Sequence, residues 1–321
     1  MNVKIRRISN LGKLTYLNDA SESGYTFGDR NILEEIILPE TMTEIYDNAL
    51  YKYTALTNVT LPSSLTTIKA NAFNGCTALT NITLPQSLIT IGKNAFSNCT
   101  SLEIGDLSLP NLEILGSGAF NGVKISKISN LGKITAVNPE NSSSANLGDK
   151  SVLREITLPN TIKTIGNGTF SGYTALETIT IESGASGINV GTGAFSGLPS
   201  STTFNVDPDA FVSLGSNAFN GTSIWNEVTF TNVTRLDHQV FRGSTISKIK
   251  LPSVETMAAI TKYDGIFSYC PNLILVDIGE NCTSIGADSF GRYIGTQGNN
   301  ITVVVRATTP PSLAGTLINT T

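Results

Sequence analysis

A tract of about two dozen residues returns along almost the whole chain, and this repetition limits the possible folds more than any other feature. Leu65 to Thr90 reads LTTIKANAFNGCTALTNITLPQSLIT, one complete unit with the next begun before it ends. With Phe73 of its Ala-Phe pair as the anchor, the equivalent apolar residues are Phe27, Leu50, Phe96, Phe120, Leu147, Phe170, Phe195, Phe219, Phe241, Phe267 and Phe290. Successive anchors stand 22 to 27 residues apart, most often 23. Such a period predicts a solenoid, in which each unit buries its apolar face against its neighbours alone. Length then sets no domain limit, and residues 1–321 are expected to form a single domain of about twelve to thirteen units of roughly 23 residues.

A second pattern, L-x-x-I-x-L-P, repeats inside each unit. It reads Leu56, Val59, Leu61, Pro62, then Leu79, Ile82, Leu84, Pro85, and later Leu153, Ile156, Leu158, Pro159 and Ile246, Ile249, Leu251, Pro252. Its last three positions alternate apolar, polar, apolar, as a strand with one buried face does. Proline ends the strand because it has no N–H for a neighbouring ladder. The intervening polar place is taken by Thr60, Thr83, Ser108, Ser129, Thr157, Thr180 and Thr229; threonine, the commonest of them, suits the solvated side of a pleated sheet.

The anchors are framed in a regular way. Two residues before them stand Asn48, Asn71, Asn94, Gly118, Gly168, Gly193, Asn217 and Asp288; two residues after come Gly75, Asn98, Gly122, Gly172, Gly197, Gly221 and Gly243. These residue types start and stop helical turns and accept left-handed backbone angles. A-F-x-G therefore predicts a short helical turn that drives the aromatic ring inward.

The combined motif, LxxIxLPxxLxxIGxxAFxxC, resembles the BspA-type (treponemal-type) leucine-rich repeats over essentially the whole chain, Ile5 to Pro311. The Ile-Gly pairs Ile91-Gly92, Ile165-Gly166 and Ile285-Gly286 recur in register with the Ala-Phe and Leu-Pro pairs. The resemblance implies a β-rich solenoid: a right-handed leucine-rich-repeat arc with a parallel strand stack and short helical turns. It further implies an extracellular or bacterial cell-surface location and a binding or adhesion role toward protein or glycan ligands, without catalysis. The alternative is an architectural spacer that carries a functional domain lying outside this sequence.

Composition excludes several partners. Lys and Arg number 21 against 25 Asp and Glu, a net charge of −4, with no basic stripe to follow a phosphate backbone, so no nucleic-acid partner is expected. No apolar run approaches the ~18 residues of a membrane span. The chain opens inside a repeat, as a mature or trimmed fragment would. Four cysteines are too few for a disulfide scaffold. Cys76, Cys99 and Cys270 stand three residues past an anchor, where small buried thiols fit. A Cys76–Cys99 bridge is the other reading, since stacked coils would hold their Cα atoms about 4.8 Å apart. Cys282 has no obvious partner.

Val3–Lys13, VKIRRISNLGK, returns as Val123–Lys133, VKISKISNLGK, 120 residues later, which marks 1–122 and 123–241 as duplicated blocks. Tyr16, Tyr25, Tyr46, Tyr51 and Tyr53 crowd the start of the first block, where the second has Ala136, Ala145, Gly166, Ser171 and Tyr173. A fold made twice does not need the four missing aromatics, and tyrosine gives large contact area at low entropy cost. These five are the candidate ligand-binding residues; the competing reading is that they shield the N-terminal end of the core. Trp225 sits on a leading leucine position and is read as core.

Catalytic and cofactor signatures are missing from the sequence. His238 is the one histidine, which removes two-histidine metal motifs, and no serine nucleophile is expected beside it. Gly116-x-Gly118 and Gly191-x-Gly193 lack the third glycine of a dinucleotide loop. Carboxylates show no calcium-loop spacing. No enzyme activity, cofactor or metal is expected.

Overall fold

A computed structural model of the chain describes residues 5–9, 11–13, 16–17, 29–140, 147–258, 265–286, 289–290 and 301–313. They divide into two compact units, Met1–Pro159 and Asn160–Thr321. The chain winds as a parallel β-solenoid in each unit, and a coil supplies two short strands separated by turns.

The first strand of each coil is the predicted one. In unit 1, Arg7–Ile8, Glu35–Ile37, Asn58–Thr60 and Asn81–Ile82 form one parallel sheet, while Glu103–Ser108, Lys124–Asn130 and Glu155–Leu158 belong to another. Register follows the repeat, with Ile8 beside Ile36, Ile36 beside Val59 and Val59 beside Ile82. In unit 2, Glu227–Thr229, Lys248–Leu251, Leu275–Ile278 and Thr302–Val305 pair in the same manner. Inward residues such as Ile36, Val59, Ile156, Ile249 and Val276 are buried, each contributing roughly 1.5–3 kcal/mol. Outward places carry exposed cross-strand ion pairs, including Arg7–Glu35, Lys127–Glu155 and Lys248–Glu227. Each of these is worth only about 0–1 kcal/mol.

The second strand of each coil is only two residues long in most cases. Glu44–Ile45, Thr67–Ile68, Thr90–Ile91 and Ile114–Leu115 stack side by side in unit 1. In unit 2 the corresponding sheet includes Ile188–Val190, Phe211–Leu214, Arg235–Leu236, Thr256–Met257 and Ser284–Ile285. Their inward residue is the apolar one that ends the strand, such as Ile45, Ile68, Ile91 and Leu115 in unit 1 and Leu236 and Met257 in unit 2.

The anchor segments differ from the expected helical turns. They are successive turns, and the only helical element among the described residues is a 3-10 turn at Pro208–Ala210. Backbone hydrogen bonding supplies the reason. Asn71, Phe73 and Gly75 donate N–H to Lys93, Ala95 and Ser97 of the next coil, whereas Asn74 and Cys76 donate within their own coil. Every second N–H is thus committed to a neighbouring coil and unavailable to a helix. The left-handed angles were correctly placed: Asn48, Asn71, Asn94 and Asn217 have φ between 54° and 59°. Lys52 and Tyr269 adopt the same backbone at φ 58° and 61°, although neither is a usual residue there. Phe27 and Asp288 lie outside the described residues.

The rings driven inward form columns. In unit 1, Phe73 and Phe96 stack at 5.0 Å and Phe96 and Phe120 at 5.5 Å, nearly parallel. In unit 2 the column runs through Phe170, Phe195, Phe219, Phe241, Phe267 and Phe290. Trp225 meets Phe204, Phe219 and Phe230 edge-on, so its ring packs toward the core as expected.

All four cysteines are buried and free. Cys76 donates its thiol to the carbonyl of anchor Leu50, Cys99 to that of Phe73 and Cys270 to that of Phe241, each in the preceding coil. Contact with the Cys99 thiol, together with burial, pushes the Cys76 thiol well above its ordinary range; burial raises those of Cys270 and Cys282. Reactivity belongs to the thiolate, so these groups are protected while folded. Thiol titration of the denatured, unreduced protein should find four free groups. A count of two would instead indicate a Cys76–Cys99 bridge.

Candidate functional site

Two surfaces of unit 1 stand apart from the regular coil. The first contains the tyrosines. Tyr46 follows Ile45 in the place that Gly92 and Gly116 occupy in later coils. There the coils approach closely: a Cβ on Gly92 would lie 2.6 Å from the Ala70 nitrogen, and one on Gly116 would lie 2.2 Å from that of Lys93. Before the column narrows to glycine, Tyr46 and Lys69 fill it, with the Lys69 ammonium 3.4 Å from the Tyr46 ring centroid. Lys69 also reaches Glu44 at 3.2 Å. Tyr51 lies between two cations, Lys52 at 5.1 Å and Arg30 at 5.9 Å from its ring. Both rings are half-buried, and cations over such faces are worth about 0.5–1 kcal/mol at exposed sites.

Tyr53 corrects the candidate set. It has no exposed surface, and neither does its counterpart Tyr173. Its ring is part of the packed interior, so it offers nothing to a ligand. Tyr16 falls in the strand Tyr16–Leu17, which pairs with Glu44–Ile45. Tyr25 lies outside the described residues.

The second surface is a break in the first-strand stack. Strand Asn81–Ile82 ends its sheet and Glu103–Ser108 begins another, so no strand pairing joins them. The cause is visible in the spacing: Leu79 and Pro85 stand six positions apart, Leu102 and Pro110 eight. The two additional residues lengthen the strand, and its pairing with Lys124–Asn130 carries a register shift, as a bulge does. Side-chain amides bridge the break at its turn end, where Gln86 donates to the Ser108 carbonyl at 3.2 Å and Asn111 to the Gln86 carbonyl at 2.9 Å. Ile82 is left half-buried, while Ile36 and Val59 in earlier coils are closed off; Leu84 is half-buried, as Leu61 is in the coil before it.

A groove of about 570 Å³ runs over Asn58, Thr60, Asn81 and Thr83 to Glu40 and Gln86. A further space of about 360 Å³, sharing Ile82, Thr83 and Gln86, lies against Glu103 and Asp106. Glu40 accepts from the Ser63 amide and hydroxyl. Lys124 sits 2.7 Å from Glu103 and holds that carboxyl below the usual carboxylate range. Sequence reading missed this site; the eight-residue spacing was the signal that could have revealed it.

Chemistry-bearing groups are sparse elsewhere. His238 stands beside a serine, with Ser216 Oγ 3.1 Å from its Nδ1. Ser216 is buried, and the neighbouring Asp237 carboxylate is engaged by Arg235 at 2.8 Å rather than by the imidazole. Among the described residues no acid is placed to orient the imidazole, and the serine is buried, so the pair lacks the geometry of a nucleophilic triad. Among the described residues no group of three His, Cys, Asp or Glu is placed to hold a metal, and no helix is long and apolar enough to cross a membrane.

A family model described as BspA type Leucine rich repeat region, in 6 copies, matches residues 23–147, 147–264 and 190–303. No curated protein matches the chain. Among solved structures, a leucine-rich repeat protein from Bacteroides ovatus is 19% identical, with 89% of this chain and 74% of that one covered and a TM-score of 0.47. A leucine rich cell surface protein from Faecalibacterium prausnitzii is also 19% identical, with 77% and 79% covered and a TM-score of 0.38. The leucine-rich repeat protein of T. pallidum is 27% identical over 52% of this chain and 65% of its own, with a TM-score of 0.33.

Proposed function

Because the chain belongs to the BspA-type leucine-rich repeat family, we propose that it is a non-catalytic binding or adhesion module for protein or glycan ligands, secreted or displayed at a bacterial cell surface. Stacked coils offer a long, stiff surface without a readable ligand code. The observation that carries this reading is the aromatic–cation patch of Tyr46 and Tyr51 with Lys69, Lys52 and Arg30. The second block has Gly166 and Ser171 at the tyrosine positions, so packing alone does not require the rings. Tyrosine and arginine are over-represented among contact hot spots.

The double replacement Tyr46→Gly and Tyr51→Ser converts the patch to the residues of the second block. Its melting temperature should stay close to that of the parent chain. Retention on arrays of purified extracellular proteins and glycans should fall about tenfold or more, as loss of hot-spot contacts does. A drop of many degrees in melting would instead assign the tyrosines to shielding the core. A parent chain retained on no spot would favour the spacer role.

A further inference from the structure

We propose that the break between Asn81–Ile82 and Glu103–Ser108 is a docking groove for an extended peptide segment carrying lysine or arginine. The site goes beyond the tyrosine patch and shares none of its residues.

Three observations converge on this occupant. First, the polar backbone edges of two strands face a gap that no strand pairing closes. An exposed strand edge is the surface on which an extended chain adds its own amides and carbonyls. Second, half-buried Ile82 and Leu84 border the same space. A peptide laid there would cover Ile82, whose counterparts Ile36 and Val59 are closed off from water. Third, Glu40, Glu103 and Asp106 line the groove, and no lysine or arginine does so among the described residues. Lys124 pairs with Glu103, and Lys127 stands beside Asp106 in register while also meeting Glu155; with Glu40 included, four carboxylates around the groove face two cations. Carboxylates at both ends select a basic extended chain over an acidic one. The amide and hydroxyl ladder of Asn58, Asn81, Thr60 and Thr83 between them suits a peptide backbone.

Unit 2 contains a comparable interruption. There the strand Thr203–Asn205 likewise has no pairing to Glu227–Thr229. Phe204 and Trp225, both half-buried, meet edge-on at 5.3 Å there, each also against Phe219. In unit 1 the corresponding interruption is left open.

The test uses the full chain and two fluorescein-labelled peptides, GTKTKTKTG and GTETETETG, whose alternation puts like charges on one face of a strand. Fluorescence polarisation at physiological ionic strength reads the affinity. The lysine peptide should saturate, and the glutamate peptide should bind at least about tenfold more weakly. Thr83 is exposed and borders both parts of the groove. Thr83→Arg should therefore weaken lysine-peptide binding by about tenfold or more, through a blocked groove and an added like charge. Thr157→Arg adds the same charge to another strand of unit 1 and should change affinity by less than about twofold. Both variants should melt with the parent. No saturation by the lysine peptide, equal binding of both peptides, no loss with Thr83→Arg, or an equal loss with Thr157→Arg would each overturn the proposal. The tyrosine double variant should keep full affinity for the lysine peptide; its loss there would also overturn the separate assignment.

Discussion

Phe96→Ala should lower the unfolding free energy by roughly 3–5 kcal/mol, the cost of removing a fully buried aromatic and leaving a cavity. Phe96 has no exposed surface, and it is stacked on both sides, by Phe73 at 5.0 Å and Phe120 at 5.5 Å. Truncation therefore removes two ring contacts, each worth about 0.5–1.5 kcal/mol beyond area, besides the transfer term. The cavity cannot collapse easily, because the anchor segment is tied to the next coil: Phe96 donates its N–H to Ala119 at 2.7 Å and Asn98 to Asn121 at 2.8 Å. Phe290 supplies the comparison. One ring contact, Phe267 at 6.1 Å, is recorded for it among the described residues, so Phe290→Ala should cost less. Urea unfolding followed by circular dichroism measures both. Small and equal losses would show that the ring column does not hold the coils together.

Gly116→Ala should be nearly as damaging, about 3 kcal/mol, although it adds a single methyl group. That methyl would stand 2.2 Å from the Lys93 nitrogen and 2.5 Å from the Gly92 carbonyl carbon. Both are main-chain atoms of the preceding coil, so no side chain can swing aside. Relief requires the coils to separate, and the bond from Gly116 N–H to the Ile91 carbonyl, 2.8 Å, resists that. Gly105→Ala is the matched control: a Cβ there meets nothing within 4 Å, and the change should stay within about 0.5 kcal/mol. Chemical denaturation of the pair distinguishes a steric demand at this column from a general cost of losing glycine. Equal effects at the two positions would remove the steric explanation.

The first strands and the left-handed turns were legible because each leaves a residue-type signature at a fixed offset. Apolar alternation ending in proline marked Asn58–Thr60 and Glu155–Leu158, and Asn71 and Asn94 marked the reversals. The second strands were not legible, since Thr67–Ile68 is too short for alternation to show. Helical turns were expected at A-F-x-G from its capping residues alone. Those residues do take the left-handed angles, but bonding to the next coil, a tertiary effect, overrode the local preference. At the candidate site, the duplication separated Tyr46 and Tyr51 from the needs of the fold, and it also showed why Tyr53 differs: its counterpart Tyr173 was retained. The groove escaped notice because two extra residues between Leu102 and Pro110 look like ordinary repeat variation until the neighbouring strand fails to pair.

The alternate N–H groups of the anchor segments have a mechanical consequence. In unit 1 they add a third ladder to the two made by the strands, of which the first is interrupted between Asn81–Ile82 and Glu103–Ser108, and all run along the stacking direction. A pull on the chain at one end of the unit concentrates load on the bonds of the outermost coil, which should part before those deeper in the stack. Each coil that peels away frees about 23 residues, or about 80 Å of slack chain. Under tension such a unit should lengthen in a run of similar steps, each freeing one coil.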